Sequence, residues 1–428
     1  MPSTSQLKLF ALVDCNNFFV SCERAVNPAL EGKPVVVLSN NDGCIVSRSA
    51  EAKALLIPMG APFYKYKDLM MRHKVQVFSS NYRLYGDFSQ RVMSILKQEV
   101  ENIAVYSIDE AFLELSGSSL EELLTEARRL RKLIRQWTGI PVSVGLGATK
   151  TLAKLAGEVA KKEFSASGGV HALVSEADRD HAFRLPVGEI WGIGRLYASK
   201  LDGLGVYTVA DLLRRPDSWI RRHLKIMGLR TTQELKGIPC FGLSEEPDLS
   251  KSIISSRSFG RPVTELHELE EAVATYTARA AEKLRQKRML ANYLHVYITT
   301  NRFRQSDPQY HNHRMVAFPT PTDYTPALIS FAKKTLREIY REGFRYKKAG
   351  IMLTGLIEND QRQVNILMPP PDPREDKIME VLDRLNGRFH RQAIRFLAMG
   401  TETPWKGKSE KRSIETLRPG LFVLSVKA

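Results

Sequence analysis

Twice along this chain the apolar residues spell one order of elements: strand, helix, strand, strand, helix, strand. That recurrence restricts the available folds more than any other feature. The first copy opens with a short buried strand at 9–13 and a helix after Asn17. Helical spacing returns at 82–100, followed by alternating strands at 103–107 and 111–115. Ser118 and Glu121 then form a capping box that opens a helix to about Trp137, Gly139 closes it, and a strand follows at 142–148. The second copy places strands at 252–259, 292–301, 314–318 and 348–357, with helices at 268–288 and 325–341. Each order is that of a split βαβ unit.

The remaining segments fall around these two units. Residues 29–81 read as an insertion with a strand at 34–38, a turn-rich Asn40-Asn41-Asp42-Gly43 group and a helix near 49–56 that Pro58 ends. Residues 176–243 look all-helical, 244–250 have linker composition, and Pro369-Pro370-Pro371 precedes a basic tail. The expected fold class is therefore α+β and multidomain, in keeping with a length of 428 residues.

Charge narrows the partner. The net charge is +16, from 63 Lys and Arg against 47 Asp and Glu. Basic and acidic groups number 12 and 12 over residues 1–115, 20 and 14 over 116–245, and 31 and 21 over 246–428. A neutral first third with basic remainders suits a reaction centre that keeps its carboxylates beside domains that grip a polyanion, nucleic acid first. Cys15, Cys22, Cys44 and Cys240 make no C-x-x-C pair, so neither a disulfide framework nor structural zinc is indicated and a reducing cytoplasm fits. The apolar run at 9–13 is broken by Asp14, which argues against a signal peptide or membrane span.

In a split βαβ unit the first and third strands are central, adjacent and antiparallel, so the end of one lies beside the start of the other. Asp14 ends the first strand and Asp109-Glu110 begins the third. The three carboxylates should thus meet at one edge of the sheet, 95 residues apart in sequence. Oxygen-only ligands select a hard cation such as Mg²⁺, and two such ions can hold the attacking and leaving oxygens of a phosphoryl displacement. The bland alternative is that Asp14 caps a helix and Asp109 shapes a turn.

The contexts of these carboxylates are more specific. Val13-Asp14-Cys15-Asn16-Asn17-Phe18-Phe19 and Tyr106-Ser107-Ile108-Asp109-Glu110-Ala111-Phe112 resemble the two palm motifs of Y-family translesion DNA polymerases. Gly32-Lys33-Pro34-Val35-Val36-Val37-Leu38-Ser39-Asn40-Asn41-Asp42-Gly43-Cys44 is similar to the UmuC branch, the catalytic subunits of bacterial DNA polymerase V. The resemblance implies a right-hand polymerase: palm at 7–28 and 82–175, small fingers at 29–81, helical thumb at 176–243, linker at 244–250, little finger at 251–360 and a partner-binding tail at 361–428. It also implies a function, error-prone DNA synthesis across damaged bases in the SOS response.

By the same resemblance, Asp14, Asp109 and Glu110 hold two Mg²⁺ ions, with the carbonyl of Cys15 completing one shell. Phe19 is the steric gate against a 2′-hydroxyl, while Phe18 is core. Ser47, Lys53 and Lys161 take the triphosphate, and because Ala50 stands where many relatives carry tyrosine, one phosphate contact is either missing or supplied by Arg48. Gly192 and Gly194 belong to a helix-hairpin-helix turn that meets a DNA phosphate, and Lys283, Arg285, Lys287 and Arg288 face the duplex backbone. Gln363 to Leu367 resembles a sliding-clamp peptide. Primer-template DNA, dNTP, the clamp, a UmuD-like dimer and a recombinase filament are the implied partners, with no membrane. Two other readings remain open: a catalytically silent DNA-binding factor of the same fold, and a nucleotidyl cyclase.

Overall fold

A computed structural model describes residues 6–163, 167–243, 251–361, 372–389 and 393–413. The described residues form two compact units, one drawn from those within 6–39, 43–243 and 411–413, the other from those within 40–42 and 251–410.

The first unit opens with β1 (Leu7–Cys15) and α1 (Phe18–Val26). Next come β2 (Val35–Leu38), β3 (Ile45–Arg48), α2 (Ala50–Ala54), α3 (Phe63–Arg72) and β4 (Gln76–Ser79). These make a separate three-stranded sheet in the order β3-β2-β4, with β2 parallel to β4. Sequence patterning finds β2 and α2 but misses β3, β4 and α3. β3 and β4, with four residues each, are too short to establish a period.

The main sheet is completed by α4 (Tyr82–Glu99), β5 (Ile103–Val105), β6 (Glu110–Gly117), α5 (Leu120–Thr138), β7 (Val142–Gly147), α6 (Lys150–Lys162) and β8 (Val170–Leu173). Its order is β5-β6-β1-β7-β8, so β1 and β6, the first and third strands of the unit, are central neighbours as expected. They run antiparallel, with Asp14 opposite Glu110. β8, parallel to β7, is an added edge strand that the patterning does not anticipate. The cap of α5 also moves by one position: Ser119 caps the helix by accepting from the Glu122 amide, and the Glu122 carboxylate reaches back to the Ser118 amide and hydroxyl. Gly139 closes the helix at a φ of 75°, as expected.

Strand alternation divides β1 between two layers. Leu9, Ala11, Val13 and Cys15 enter the main core with residues of α4 and α5, whereas Leu12 and Phe10 pack with Phe112 and Ala153 of α6. Asp14 shares the parity of Phe10 and Leu12, which turns it toward α6. The helix can lie this close because β7 carries Gly145 and Gly147. A Cβ on Gly145 would stand 2.1 Å from the Gly157 amide nitrogen and 2.2 Å from the Ala153 carbonyl oxygen.

The unit continues with helices α7 (Glu176–Phe183), α8 (Arg195–Asp202), α9 (Val209–Leu213) and α10 (Asp217–Leu235), the all-helical stretch that the sequence predicts. Buried Glu234 near the end of α10 accepts from the Thr151 amide and hydroxyl and from the amides of Cys240 and Phe241, while Thr149 donates to its carbonyl. The start of α6 is thereby fixed to the helical layer.

The second unit holds β9 (Ser252–Val263), α11 (Leu266–Gln286), β10 (Met289–Thr300), β11 (His311–Thr322), α12 (Thr325–Ile339) and β12 (Tyr346–Thr354). The element order is the expected one. Pairing differs from the first unit: the sheet runs β11-β10-β12-β9, so the second and fourth strands are central. A short β13 (Ile357–Glu358) pairs with β10, and α13 (Pro373–Arg388) follows. Trp405, deep in the basic tail, is buried in this unit's core against Phe259 and Tyr276. The linker at 244–250, the clamp-like Gln363 and Leu367, and Pro369-Pro370-Pro371 lie outside the described residues.

Candidate active site

Two of the three carboxylates sit side by side on adjacent strands, and two lysines of α6 neutralise them. Lys161 Nζ lies 2.8 Å from Asp14 Oδ2, and Lys154 Nζ lies 2.6 Å from Glu110 Oε1. The lysines are seven residues apart on one helical face, two turns of α6. Burial pushes the Asp14 carboxyl up to about 7, and its hydrogen bond to Glu110 acts in the same direction against the pull of Lys161. Glu110, although burial works to raise it, is held below its ordinary value by hydrogen bonds from Asp14 and Lys154.

Asp109 reaches the same corner through its backbone, since its carbonyl accepts from the Cys15 amide at 2.9 Å. Its side chain is held by Ser107, whose hydroxyl donates to Oδ1 at 2.6 Å while its oxygen accepts from the amides of Asp109 and Glu110. Among the described residues no three His, Cys, Asp or Glu side chains already stand as a gathered ligand set. The donor chemistry nevertheless fits a hard cation. All the donors are oxygens, and Asp14 lies opposite Glu110 across β1 and β6.

Cations converge on the same side. Burial, then the charges of Arg48 and Lys161, lower Lys53, while Glu158 and Asp14 oppose the shift. Arg48 and Lys161 therefore each lie within electrostatic reach of Lys53, an arrangement suited to a polyphosphate. Ser47 is placed differently. Its buried hydroxyl donates to the Asn17 carbonyl and accepts from the Val20 amide, joining β3 to the start of α1. Phe18 is in the core, whereas half-buried Phe19 stacks on Tyr85 with ring centroids 4.5 Å apart and meets Tyr82 edge-on at 5.9 Å.

Gly192 has a φ of 88°, a conformation that favours glycine, and Gly194 caps α8. Beside this turn a cleft of about 500 Å³ is lined by Tyr106, Phe112, Trp191 and Phe241, with Trp191 Nε1 donating to Tyr106 Oη at 3.0 Å. A larger cavity, about 1280 Å³, is lined by Arg24, Arg128, Arg131, Lys132 and Arg135 and includes none of the three carboxylates.

In the second unit Lys283, Lys287 and Arg288 are exposed. Arg285 is paired within the unit. Its guanidinium grips both oxygens of Asp383, at 2.7 and 2.8 Å, and also donates to the Asp323 carbonyl and the Thr325 hydroxyl. Sequence reasoning misses Lys154, Tyr85 and Trp191. For Lys154 a signal exists, the seven-residue spacing to Lys161; for the two aromatic residues there is none, because their partners come from distant segments.

A split βαβ sheet with paired carboxylates at the meeting ends of its central strands, followed by a helical layer and a second βαββαβ unit, is the fold of the Y-family DNA polymerases. A Dbh–Dpo4 chimera of that family matches it with a TM-score of 0.64 over 82% of this chain and 100% of its own, at 22% identity. A Dbh ternary complex matches with a TM-score of 0.53 over 82% and 99%, also at 22% identity. Within that class the family is definite. The impB/mucB/samB family profile matches residues 13–158, its C-terminal domain matches 250–366, and a domain of unknown function, DUF4113, matches 376–415. Protein UmuC of Salmonella typhimurium is 41% identical over 409 residues, 95% of this chain and 97% of its own. Protein ImpB of Salmonella typhimurium is 38% identical over 95% and 96%, and DNA polymerase IV of Corynebacterium diphtheriae 32% over 86% and 80%. This chain belongs to the impB/mucB/samB family.

Proposed function

We propose that the chain is an error-prone, template-directed DNA polymerase that extends primers across damaged bases in the SOS response. The observation that carries this reading is the corner where Asp14 faces Glu110 across β1 and β6, with the Asp109 backbone carbonyl bonded to Cys15 beside them and Arg48, Lys53 and Lys161 close by. Asp14, Asp109, Glu110 and the Cys15 carbonyl would hold two Mg²⁺ ions. When bound there, such ions supply the positive charge that lowers the barrier to nucleotidyl transfer.

The chain's own groups do the positioning. Lys53 and Lys161, with Arg48, take the triphosphate, and Ser47 supports them by fixing α1 to β3. Phe19 stands under the incoming sugar and leaves no room for a 2′-hydroxyl. Gly192 and Gly194 offer backbone amides to a DNA phosphate, and Lys283, Lys287 and Arg288 meet the duplex backbone without reading its sequence. Arg285 is left out of that set because Asp383 occupies it. The fingers, a three-stranded sheet with two short helices, are too small for a large closing lid, which fits weak discrimination by base-pair shape.

Gln363 and Leu367 belong to the same proposal as a clamp-binding peptide, as do a UmuD-like dimer and a recombinase filament as partners and the cytoplasm as location. Among the described residues no helix is long and apolar enough to cross a membrane. The test is primer extension with Mg²⁺. Asp14→Ala and Asp109→Ala should each slow extension by roughly a thousandfold or more while primer-template binding survives. Extension at the parental rate would refute the enzymatic assignment, and a parental chain inert with primer, template and dNTP would leave a silent DNA-binding factor instead.

A further inference from the structure

The Phe19 ring rests on a series of side chains that ends in the domain of unknown function. Phe19 and Glu23 are four residues apart on one face of α1, and Tyr82 and Tyr85 three apart on α4. The Tyr85 ring lies almost parallel to Phe19, at 15°, and its hydroxyl donates to Glu23 Oε1 at 2.7 Å. Ser413 Oγ donates to the same oxygen at 3.1 Å and accepts from Asn81 Nδ2 at 3.1 Å. Two residues earlier the Lys411 amide donates to Ser79 Oγ, and its carbonyl accepts from the Ser79 amide, both at 3.0 Å. Glu23 and Tyr85 are 1% and 0% exposed, so little solvent is at hand to replace these bonds.

We infer that the segment Lys411 to Ser413 is a specificity element of the nucleotide site: it fixes Glu23, Glu23 fixes Tyr85, and Tyr85 sets the plane of the Phe19 ring against the sugar. The inference rests on the reading of Phe19 as the sugar gate. A ring that excludes one hydroxyl must be held to within a few tenths of an ångström. Phe19 has no polar atom of its own, so its position is set by the surface on which it stacks. Tyr85 is that surface, and its own freedom to slide is limited by the phenol bond to a carboxylate anchored on a second side by Ser413. The positioning residues are Glu23, Tyr85 and Ser413; none of them touches a reacting atom.

The experiment compares ribonucleotide with deoxyribonucleotide incorporation, as a ratio of kcat/KM values, on one primer-template with the full chain. Ser413→Ala should raise the ribo-to-deoxy ratio by roughly two- to tenfold, the range set by removing one hydrogen bond. Ser413→Thr, which keeps the hydroxyl, should restore the parental ratio. Tyr85→Phe keeps the ring and loses the bond to Glu23, so it should shift the ratio in the same direction and serves if Ser413→Ala folds poorly. A merely structural role lowers the active fraction and scales both rates alike, leaving the ratio unchanged. A parental ratio in both Ser413→Ala and Tyr85→Phe, alongside a raised ratio in Phe19→Ala, overturns the inference and leaves the gate standing. An unchanged ratio in Phe19→Ala overturns the gate itself.

Discussion

Glu23 holds a carboxyl group among apolar side chains, with Oε1 bonded by Tyr85 and Ser413 and Oε2 buried without a partner among the described residues. Burial raises its pKa above the ordinary 4.5, against the pull of the Tyr85 and Ser413 bonds. A carboxyl raised in the folded state binds protons more tightly there than in the unfolded chain. Its contribution to stability is therefore present below 4.5 and is lost as pH rises through the raised folded value. Glu23→Gln keeps an acceptor for Tyr85 and removes the titration. Thermal melts from pH 4.5 upward should show the parental Tm falling relative to the variant, and parallel curves would contradict the assignment. The neighbouring titratable groups, Tyr85 and Cys22, are both pushed upward by burial and stay neutral throughout. Nothing in the sequence marks this glutamate, because its partners sit 62 and 390 positions away. Asp14, Asp109, Glu110 and Phe19 are legible because each lies in a contiguous motif at the end of a readable strand. Ser47 is legible as a position but not as a role, since its hydroxyl is engaged by the backbone of a segment 30 residues earlier.

At the scale of elements, α6 delivers Lys154 and Lys161 to the carboxylates, and Gly145 sets how closely it can approach. Gly145→Ala would drive a methyl group into the backbone of Gly157 and Ala153, neither of which is a flexible side-chain end. The helix must lift or β7 must bend, at a cost of about 1–3 kcal/mol. The expected outcome is a lowered Tm together with a raised KM for dNTP, since both lysines ride on the helix that moves. A variant with parental Tm and KM would show that α6 tolerates the displacement and that its height does not set the site. The strand at 142–148 is visible in the sequence, but the need for its glycines is not, because the helix that crowds them is placed by tertiary packing. The two βαββαβ units make the same point. Setting aside the insertion at 29–81 and the added β8, both follow one strand and helix order, yet β1 and β6 are central neighbours in one, β10 and β12 in the other. Apolar periodicity reports which side of a strand faces a core; which strand lies beside it depends on how the crossover helices pack.

Along the sequence the charge is graded, from a balanced first third to residues 246–428, which carry 31 basic against 21 acidic groups of a chain whose net charge is +16. That gradient is readable from composition alone, whereas the use made of each cation is not. Lys283, Arg285, Lys287 and Arg288 form one run in the sequence, and α11 separates them by function. Arg285 turns inward to a bidentate pair with Asp383 of α13, its side chain 12% exposed, while the other three are exposed. An inward guanidinium that joins two helices contributes to stability, and outward cations contribute counterion release. The two roles respond to different measurements. Replacing Lys283, Lys287 and Arg288 together by Gln should weaken primer-template binding and reduce the magnitude of the slope of log K against log salt by about 3, close to one for each phosphate no longer neutralised. Arg285→Gln should leave that slope unchanged and lower the Tm of the second unit, because it strands the partly buried Asp383 carboxylate without its partner. If Arg285→Gln instead shifts the salt slope as the surface variants do, the bridge to Asp383 opens when DNA binds, and the run acts as the single contiguous patch that the sequence alone suggests.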